Sequence, residues 1–436
     1  MGRLVELDPQ QFAARLLAEG QQRAYLLWDS QAGNYRTSHP LLSDLAELAR
    51  EPDRGGPPHE AVFLEVGRET ETLLAAFVHR SVRGQAMGGL RHWRYPRLAD
   101  LLRDGLRLSR AMTRKAALAG MWWGGGKGVI ARSADGAERD PGYRRAVYRE
   151  YGAFVSSLRG CYVTAEDAGT DPTDMAEVFR TTRFAVCVPR GAGGSGNPSH
   201  MTALGVVCGM EAALDFLGKG TLAGKRIAVQ GTGQVGSALI AELFERGVAG
   251  VVATEICAER RAALLDGFSG RPLEVRLVEP GTQEILAESC DVLAPCALGG
   301  VLGPKTIPSV QAPIVCGAAN NPLVDEERDG RGLAERGIAY VPDFVANRMG
   351  LVSCANEQYG YVNGDPAVQR HLERSSPNGI YQTALRVLEG ARDGGVTPVA
   401  AATALADELS NAPHPLWGHR TREIIASLLA DRWEDG

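Results

Sequence analysis

A chain of 436 residues, 44% hydrophobic and 23% charged, has room for two or three globular domains of ordinary composition. Its net charge of −5, with no basic run, argues against a general nucleic-acid binder. No apolar stretch reaches the roughly 18 residues of a membrane span, and the amino terminus has no signal-peptide core.

In chain order, the pattern predicts a helix from Pro9 to about Glu19 and a strand over Tyr25–Trp28, with Trp28 in the core. Glu51–Pro58 is a turn-rich loop. Ala61–Val66 and Thr72–His79 read as a hairpin in a mixed sheet. Met87-Gly88-Gly89-Leu90-Arg91 follows, its paired glycines allowing backbone to come close to a ligand. A helix over Leu98–Ala119 puts Leu101, Leu102, Leu106 and Leu108 on its apolar side and Lys115 near its end.

Met121-Trp122-Trp123-Gly124-Gly125-Gly126-Lys127-Gly128 is the stretch with the most chemistry in it. Three glycines permit close approach of a ligand, and Lys127 stands among backbone amides and two indoles. A desolvated lysine has a lowered pKa, and a second cation lowers it further; Lys115, twelve residues upstream, is available. A phosphate-binding P-loop is excluded, because Met121 stands where its first glycine belongs and Gly128 where its hydroxyl belongs. Downstream, Cys161–Thr170 runs from a strand into Glu166-Asp167. Neighbouring side chains on an extended backbone point to opposite faces, so only one of these carboxylates faces a given cleft, and spacing does not say which.

Gly191–His200 is a glycine-rich break suited to a hinge, followed by a helix over Met201–Phe216. Arg226–Gln230 is then a short strand, Gly231-Thr232-Gly233-Gln234-Val235-Gly236 fits G-x-G-x-x-G, and a helix leads to a second strand ending at Glu255. That acid, nineteen residues past the last glycine, completes a Rossmann dinucleotide-binding context and favours NAD over NADP, with Arg260 and Arg261 as the complicating cations. Asp291–Ala297, Pro313–Asn321 and Ala339–Asp343 are apolar runs ending in small or polar residues, as successive parallel strands do where they deliver ligand-facing loops. Helices resume near Asn378, and His419 in the Leu416–Arg420 cluster reads as structural. Eight scattered cysteines with no C-x-x-C fit reduced thiols in a cytoplasm, without zinc or a disulfide framework. H-E-x-x-H and G-x-S-x-G are both absent, which removes several hydrolase readings.

Seven ordered motifs resemble the glutamate/leucine/phenylalanine/valine dehydrogenase family, in details closest to its leucine dehydrogenase branch. They are Arg110–Lys115, Gly124–Lys127, Thr164–Thr170, Gly196–Ser199, Ala294–Gly299, Ala319–Asn321 and Tyr340–Phe344. The resemblance spans about residues 61–410. It implies an α/β fold of two domains: a mixed-sheet substrate and oligomerisation domain over 1–190, completed by 376–436, and a Rossmann NAD-binding domain over 191–375, with the active site in the interdomain cleft. It implies that Lys115 holds the substrate carboxylate, that Lys127 is the catalytic lysine, and that Asp167 rather than Glu166 exchanges protons with the substrate amine. Substrate-side positions by the same resemblance are Met87, Gly88, Gly89, Asn320, Asn321 and Asn347. Cofactor-side positions are Gly231, Gly233, Gln234, Val235, Gly236, Glu255, Thr202, Cys296, Ala297 and Asn320.

The implied reaction is reversible, NAD-dependent oxidative deamination of an amino acid to a 2-oxo acid and ammonia, by a cytoplasmic homo-oligomer, a dimer or larger, without metal, membrane or nucleic-acid partners. Met87 stands where glutamate dehydrogenases carry a lysine for the side-chain carboxylate, so an apolar substrate, branched aliphatic or aromatic, is expected. Asn347-Arg348-Met349-Gly350 replaces the common Asn-Ala-Gly-Gly, putting large side chains near the expected substrate pocket. The alternative is a catalytically silent homologue that binds amino acid or nucleotide as a sensor or partner subunit.

Overall fold

In a computed structural model, residues 3–50, 57–297 and 299–436 are described. Most of the Glu51–Pro58 loop, and Leu298 of the Ala294–Gly299 motif, lie outside them. The chain forms two compact units. The first comprises Met1–Asn197, Cys354–Val362 and Glu408–Gly436; the second comprises Pro198–Ser353 and Asn363–Asp407.

Unit 1 opens with helix α1 (Pro9–Ala18), started by proline and by a capping box between Asp8 and Gln11. Strands β1 (Arg23–Asp29) and β2 (Asn34–Thr37), helix α2 (Ser43–Arg50), β3 (Ala61–Val66), β4 (Leu73–Arg80) and β5 (Ala86–Trp93) follow. Helix α3 (Leu98–Leu118), β6 (Gly124–Ala131), α4 (Pro141–Ser157), β7 (Tyr162–Glu166) and α5 (Pro172–Phe179) complete the run before the break. The sheet order is β2-β1-β3-β4-β6-β5-β7. The hairpin expected at 61–79 is the antiparallel β3–β4 pair. From β6 onward the pairing turns parallel, β6 with β5 and β5 with β7, so the sheet is mixed. One face buries Leu26, Val62, Leu64, Ala75, Phe77 and Val129 against Phe12, Leu16, Leu98, Leu101 and Leu102 of the helices. Trp28 is only partly buried and packs on the edge of that core.

The glycine run is not a loop. Gly124–Gly126 are the first residues of β6, wholly buried, with β4 on one side and β5 on the other. A Cβ on Gly125 would collide with Thr113 and the Ser109 carbonyl of α3; one on Gly126 would meet the Tyr162 ring. The glycines admit a helix and an aromatic ring, not a ligand. Trp122 is partly exposed under the Arg83 guanidinium, so only Trp123 is buried of the two indoles.

Unit 2 holds α6 (Ser199–Phe216), β8 (Arg226–Gln230), α7 (Gln234–Glu245), β9 (Gly250–Glu255), α8 (Ala258–Gly267), β10 (Leu273–Leu277), β11 (Val292–Pro295), β12 (Ile314–Val315), α9 (Glu326–Glu335), β13 (Ala339–Tyr340) and α10 (Asp343–Ala346). Helix α11 (Met349–Ala355) leads out of it; α12 (Pro366–Gln369), α13 (Ile380–Gly394) and α14 (Pro398–Ser410) come after the excursion to unit 1, which α15 (Arg420–Ala430) completes. All six strands are parallel, in the order β10-β9-β8-β11-β12-β13. Numbered within this unit, that is 3-2-1-4-5-6, the dinucleotide-binding order. The final return to unit 1 falls at Glu408, later than the 376 expected from sequence. Helix α13 packs along α6, and Val399 of α14 joins the core of the parallel sheet, which keeps both in unit 2.

Candidate active site

Lys127, in mid-strand on β6, is 3% exposed. Its ammonium donates to Asp167 Oδ2 at 2.7 Å. Asp167 follows β7 in a turn closed by Thr170, whose amide and hydroxyl both donate to the Asp167 carbonyl. The same Oδ2 accepts from Arg91 Nε at 3.0 Å. Arg91 stands on β5, two residues past Gly89 and so on the same face of the strand. A Cβ on Gly89 would crowd the Asp167 Cβ at 2.7 Å, so that glycine lets the carboxylate sit against β5. Behind Arg91, Asp104 of α3 accepts two guanidinium hydrogen bonds, at 2.9 and 3.2 Å, and one from the Tyr95 hydroxyl at 2.8 Å.

The electrostatics follow from this geometry. Burial lowers the Lys127 pKa, Asp167 opposes that, and Arg91 adds to it, leaving the lysine below its ordinary value. Burial alone would raise the Asp167 carboxyl, but Lys127 and Arg91 outweigh it and hold it well below the usual carboxylate range. Arg91 is thus a cation acting on Lys127 that the sequence reading, which named Lys115, did not include. Lys115 itself is buried near the end of α3. Arg91 and Asp104 were missed in sequence; the spacing of Arg91 from Gly89 was the signal for the first.

Glu166 has a different environment. Its Oε1 accepts from Asn197 Nδ2 at 3.1 Å, and its buried Oε2 has no hydrogen-bond partner among the described residues. Burial, reinforced by Asp171, pushes its pKa up to about 7. The two adjacent carboxyls thus differ in partner and in ease of protonation: Lys127 and Arg91 favour the anion of Asp167, while burial shifts Glu166 towards neutrality. Met87 and Gly88 are buried on β5 between Gly125 of β6 and Val163 and Thr164 of β7.

In unit 2 the fingerprint glycines separate into three roles. Gly231 has φ +88° and turns the chain out of β8; a Cβ on Gly236 would strike the Gly231 carbonyl, so it seats α7 on the strand. Nothing lies within 4 Å of a Cβ on Gly233, the N-cap of α7, which is followed by Gln234 and Val235 in the first turn. That open cradle at a helix N-terminus fits a pyrophosphate. Glu255, at the end of β9, accepts from Thr232 Oγ1 at 2.6 Å, from the amides of Ile256 and Cys257, and from Arg260 at 2.8 Å. Burial opposes its ionisation, yet Arg260 and Thr232 bring it down to about 2. Arg261 is committed elsewhere, donating to the Val275 carbonyl at 2.7 Å.

Cys296 and Ala297 follow β11 beside the Gly231 turn; Cys296 N donates to Gln230 O, and burial pushes the thiol up to about 12. Thr202, in the first turn of α6, donates to Pro198 O at 3.0 Å. Asn347 donates to Asn320 Oδ1 at 3.1 Å and to the Ala318 carbonyl at 3.0 Å, while Asn321 (φ +49°) gives its amide to Asp343. These three asparagines cluster at the ends of β12 and α10. Arg348, expected to crowd a pocket, is fully buried inside unit 2 and donates to the Asn378 carbonyl and to Thr383 Oγ1. Met349 is equally buried, its Cγ lying where a Cβ on Gly205 of α6 would come. Both large side chains fill the helical layer. His419 contacts Ser81 Oγ and Glu60, a structural tie.

The profile described as Glu/Leu/Phe/Val dehydrogenase, dimerisation domain, matches residues 68–184, and that of the Glutamate/Leucine/Phenylalanine/Valine dehydrogenase domain matches 193–256 and 255–408. The chain is 38% identical to the leucine dehydrogenase of Thermoactinomyces intermedius over 351 residues, 80% of this chain and 90% of that one. It is 37% identical to the valine dehydrogenase of Streptomyces coelicolor over 82% of this chain and 93% of the relative. The crystal structure of L-tryptophan dehydrogenase from Nostoc punctiforme superposes with a TM-score of 0.65 at 33% identity, covering 85% of this chain and 98% of the other. The chain therefore belongs to the glutamate/leucine/phenylalanine/valine dehydrogenase family.

Proposed function

We propose that this protein catalyses the reversible oxidative deamination of an apolar L-amino acid with NAD. The observation that carries the reading is the buried Lys127–Asp167 pair, its shared oxygen also held by Arg91. Names of similar proteins point the same way, since they are leucine, valine and tryptophan dehydrogenases.

Lys115 binds the substrate carboxylate. The Gly231–Gly236 turn and Glu255 would hold the dinucleotide, which would supply a hydride acceptor for the substrate Cα. Lys127 in its neutral form takes a proton from the water that adds to the imine carbon, and burial beside Arg91 makes that form accessible. Asp167 relays protons to and from the substrate nitrogen. It becomes basic enough to do so when Lys127 has lost its charge, so the two groups titrate as a pair. Met87 offers no cation to a side-chain carboxylate, which favours leucine, valine or an aromatic substrate over glutamate.

Following absorbance of the reduced cofactor with each of the twenty amino acids and NAD at alkaline pH tests this directly. Turnover of apolar substrates is expected, and none on any of them would overturn the reading. NAD should exceed NADP by at least about tenfold in kcat/KM, about 1.4 kcal/mol, because Glu255 meets a 2′-phosphate with like charge. Glu255→Ser removes that charge and frees Arg260, so NADP efficiency should rise; equal use of both cofactors by the unmodified enzyme would contradict the assignment of Glu255.

A further inference from the structure

Cys187 and Cys354 lie 167 positions apart in sequence, yet their sulfurs are 2.7 Å apart, well inside a non-bonded sulfur contact. Both thiols are buried, 1% and 3% exposed. Cys187 adopts φ +64°, a left-handed conformation that non-glycine residues seldom take. A glycine would hold that turn without strain, so the side chain at this position is kept at a cost. The surroundings fix it in place: Glu357 accepts hydrogen bonds from the amides of Cys187, Val188 and Ser195, at 2.8, 3.1 and 2.9 Å, and from Ser195 Oγ at 2.6 Å. The Ser195 hydroxyl also lies 3.8 Å from the Cys354 sulfur. Position matters too. The chain leaves unit 1 after Asn197 and re-enters it at Cys354, so the pair joins the stretches next to these two crossings.

We propose that Cys187 and Cys354 are a reversible disulfide site that staples these two junction stretches to each other. The oxidant is of the hydroperoxide class. Each thiol gives up its hydrogen, one S–S bond forms, and the two electrons released reduce the O–O bond of hydrogen peroxide to two water molecules. Because both sulfurs are buried, oxidation proceeds when the Cys187–Ser195 loop opens, and the bond once made is shielded from soluble thiol reductants. The positioning of the loop by Glu357 replaces a chance encounter of two thiols by a prearranged one.

The test is exposure of the full-length protein to hydrogen peroxide, followed by alkylation under denaturing conditions and peptide mapping. The expected result is one disulfide per chain, linking the peptides that contain Cys187 and Cys354, with Cys161, Cys208, Cys290, Cys296 and Cys316 still alkylated. Dithiothreitol under denaturing conditions restores both thiols, and the oxidised protein melts at a higher temperature than the reduced one, because the cross-link constrains the unfolded chain. Cys187→Gly, which suits the left-handed backbone and protects the fold, and Cys354→Ala should each abolish both the linked peptide and the rise in melting temperature. Peroxide treatment that leaves Cys187 and Cys354 free while oxidising other thiols, or a disulfide mapped to any other pair, would overturn the proposal.

Discussion

Lys127, Asp167 and Arg91 share one oxygen atom, and that arrangement makes opposite forecasts for two of the three. Arg91 lowers the Lys127 pKa and Asp167 raises it. If neutral Lys127 is the working form, the acid limb of the kcat/KM profile reports its loss of a proton. Removing the cation in Arg91→Gln lets the Lys127 pKa climb, so the limb should move to higher pH. In Asp167→Asn the stabilising anion is gone, the Lys127 pKa drops, and the limb of the residual activity should move to lower pH. Profiles of both variants on one apolar substrate check this, and shifts of the same sign would show that the limb belongs to another group. Glu166 is the competing titrating residue, since burial holds it at about 7. Its carboxyl is neutral in part of the molecules at neutral pH, and glutamine imitates that neutral form.

At the scale of elements, the Rossmann half was legible because its signals are geometric: a strand, a turn with three glycines at fixed spacing, a helix and an acid at the end of the next strand. The strand, the turn, the helix and the acid stand where that spacing put them, with Gly231 at the turn, Gly236 under α7 and Glu255 closing β9. The glycine run of β6 was legible as special but not as a strand. Glycine's freedom serves a ligand or a close-packed neighbour equally well, and only the partner across the gap tells which. Here the neighbours are α3 and Tyr162. Gly125→Ala should therefore destabilise the protein by about 1–3 kcal/mol through overpacking against Thr113 and Ser109, read as a lower urea midpoint. An unchanged midpoint would mean that α3 is free to move away from β6. Asp104 was not legible at all: a lone acid on a helix thirteen positions from its arginine carries no pattern in sequence. The late return of the chain at Glu408 escaped for a related reason, since amphipathic helices such as α13 show that they pack but not on which unit.

For the molecule as a whole, the division into two units separates the groups assigned to proton transfer from those assigned to the dinucleotide. Lys127 lies in unit 1, and Gly231–Gly236 and Glu255 lie in unit 2. Lys127→Ala should consequently abolish turnover while leaving NADH affinity within about twofold by fluorescence titration, since the nucleotide contacts are untouched. A parallel loss of NADH binding would show that the lysine supports the nucleotide unit. The match of residues 68–184 to a dimerisation domain fits an assembly of several copies, a state that sedimentation velocity reads directly.

The central claim is that Lys127 and Asp167 carry the proton chemistry, and it is met most directly by kcat for Asp167→Asn and Glu166→Gln side by side on the best apolar amino acid. Both changes are isosteric and both remove one carboxylate, so a loss of fold is easily recognised by matching melting curves. Asp167→Asn should lower kcat by roughly 10²–10⁴, the range for a general acid–base group, while Glu166→Gln stays within about tenfold of the unmodified enzyme. Equal losses in the two variants, with both folded, would contradict the assignment of Asp167.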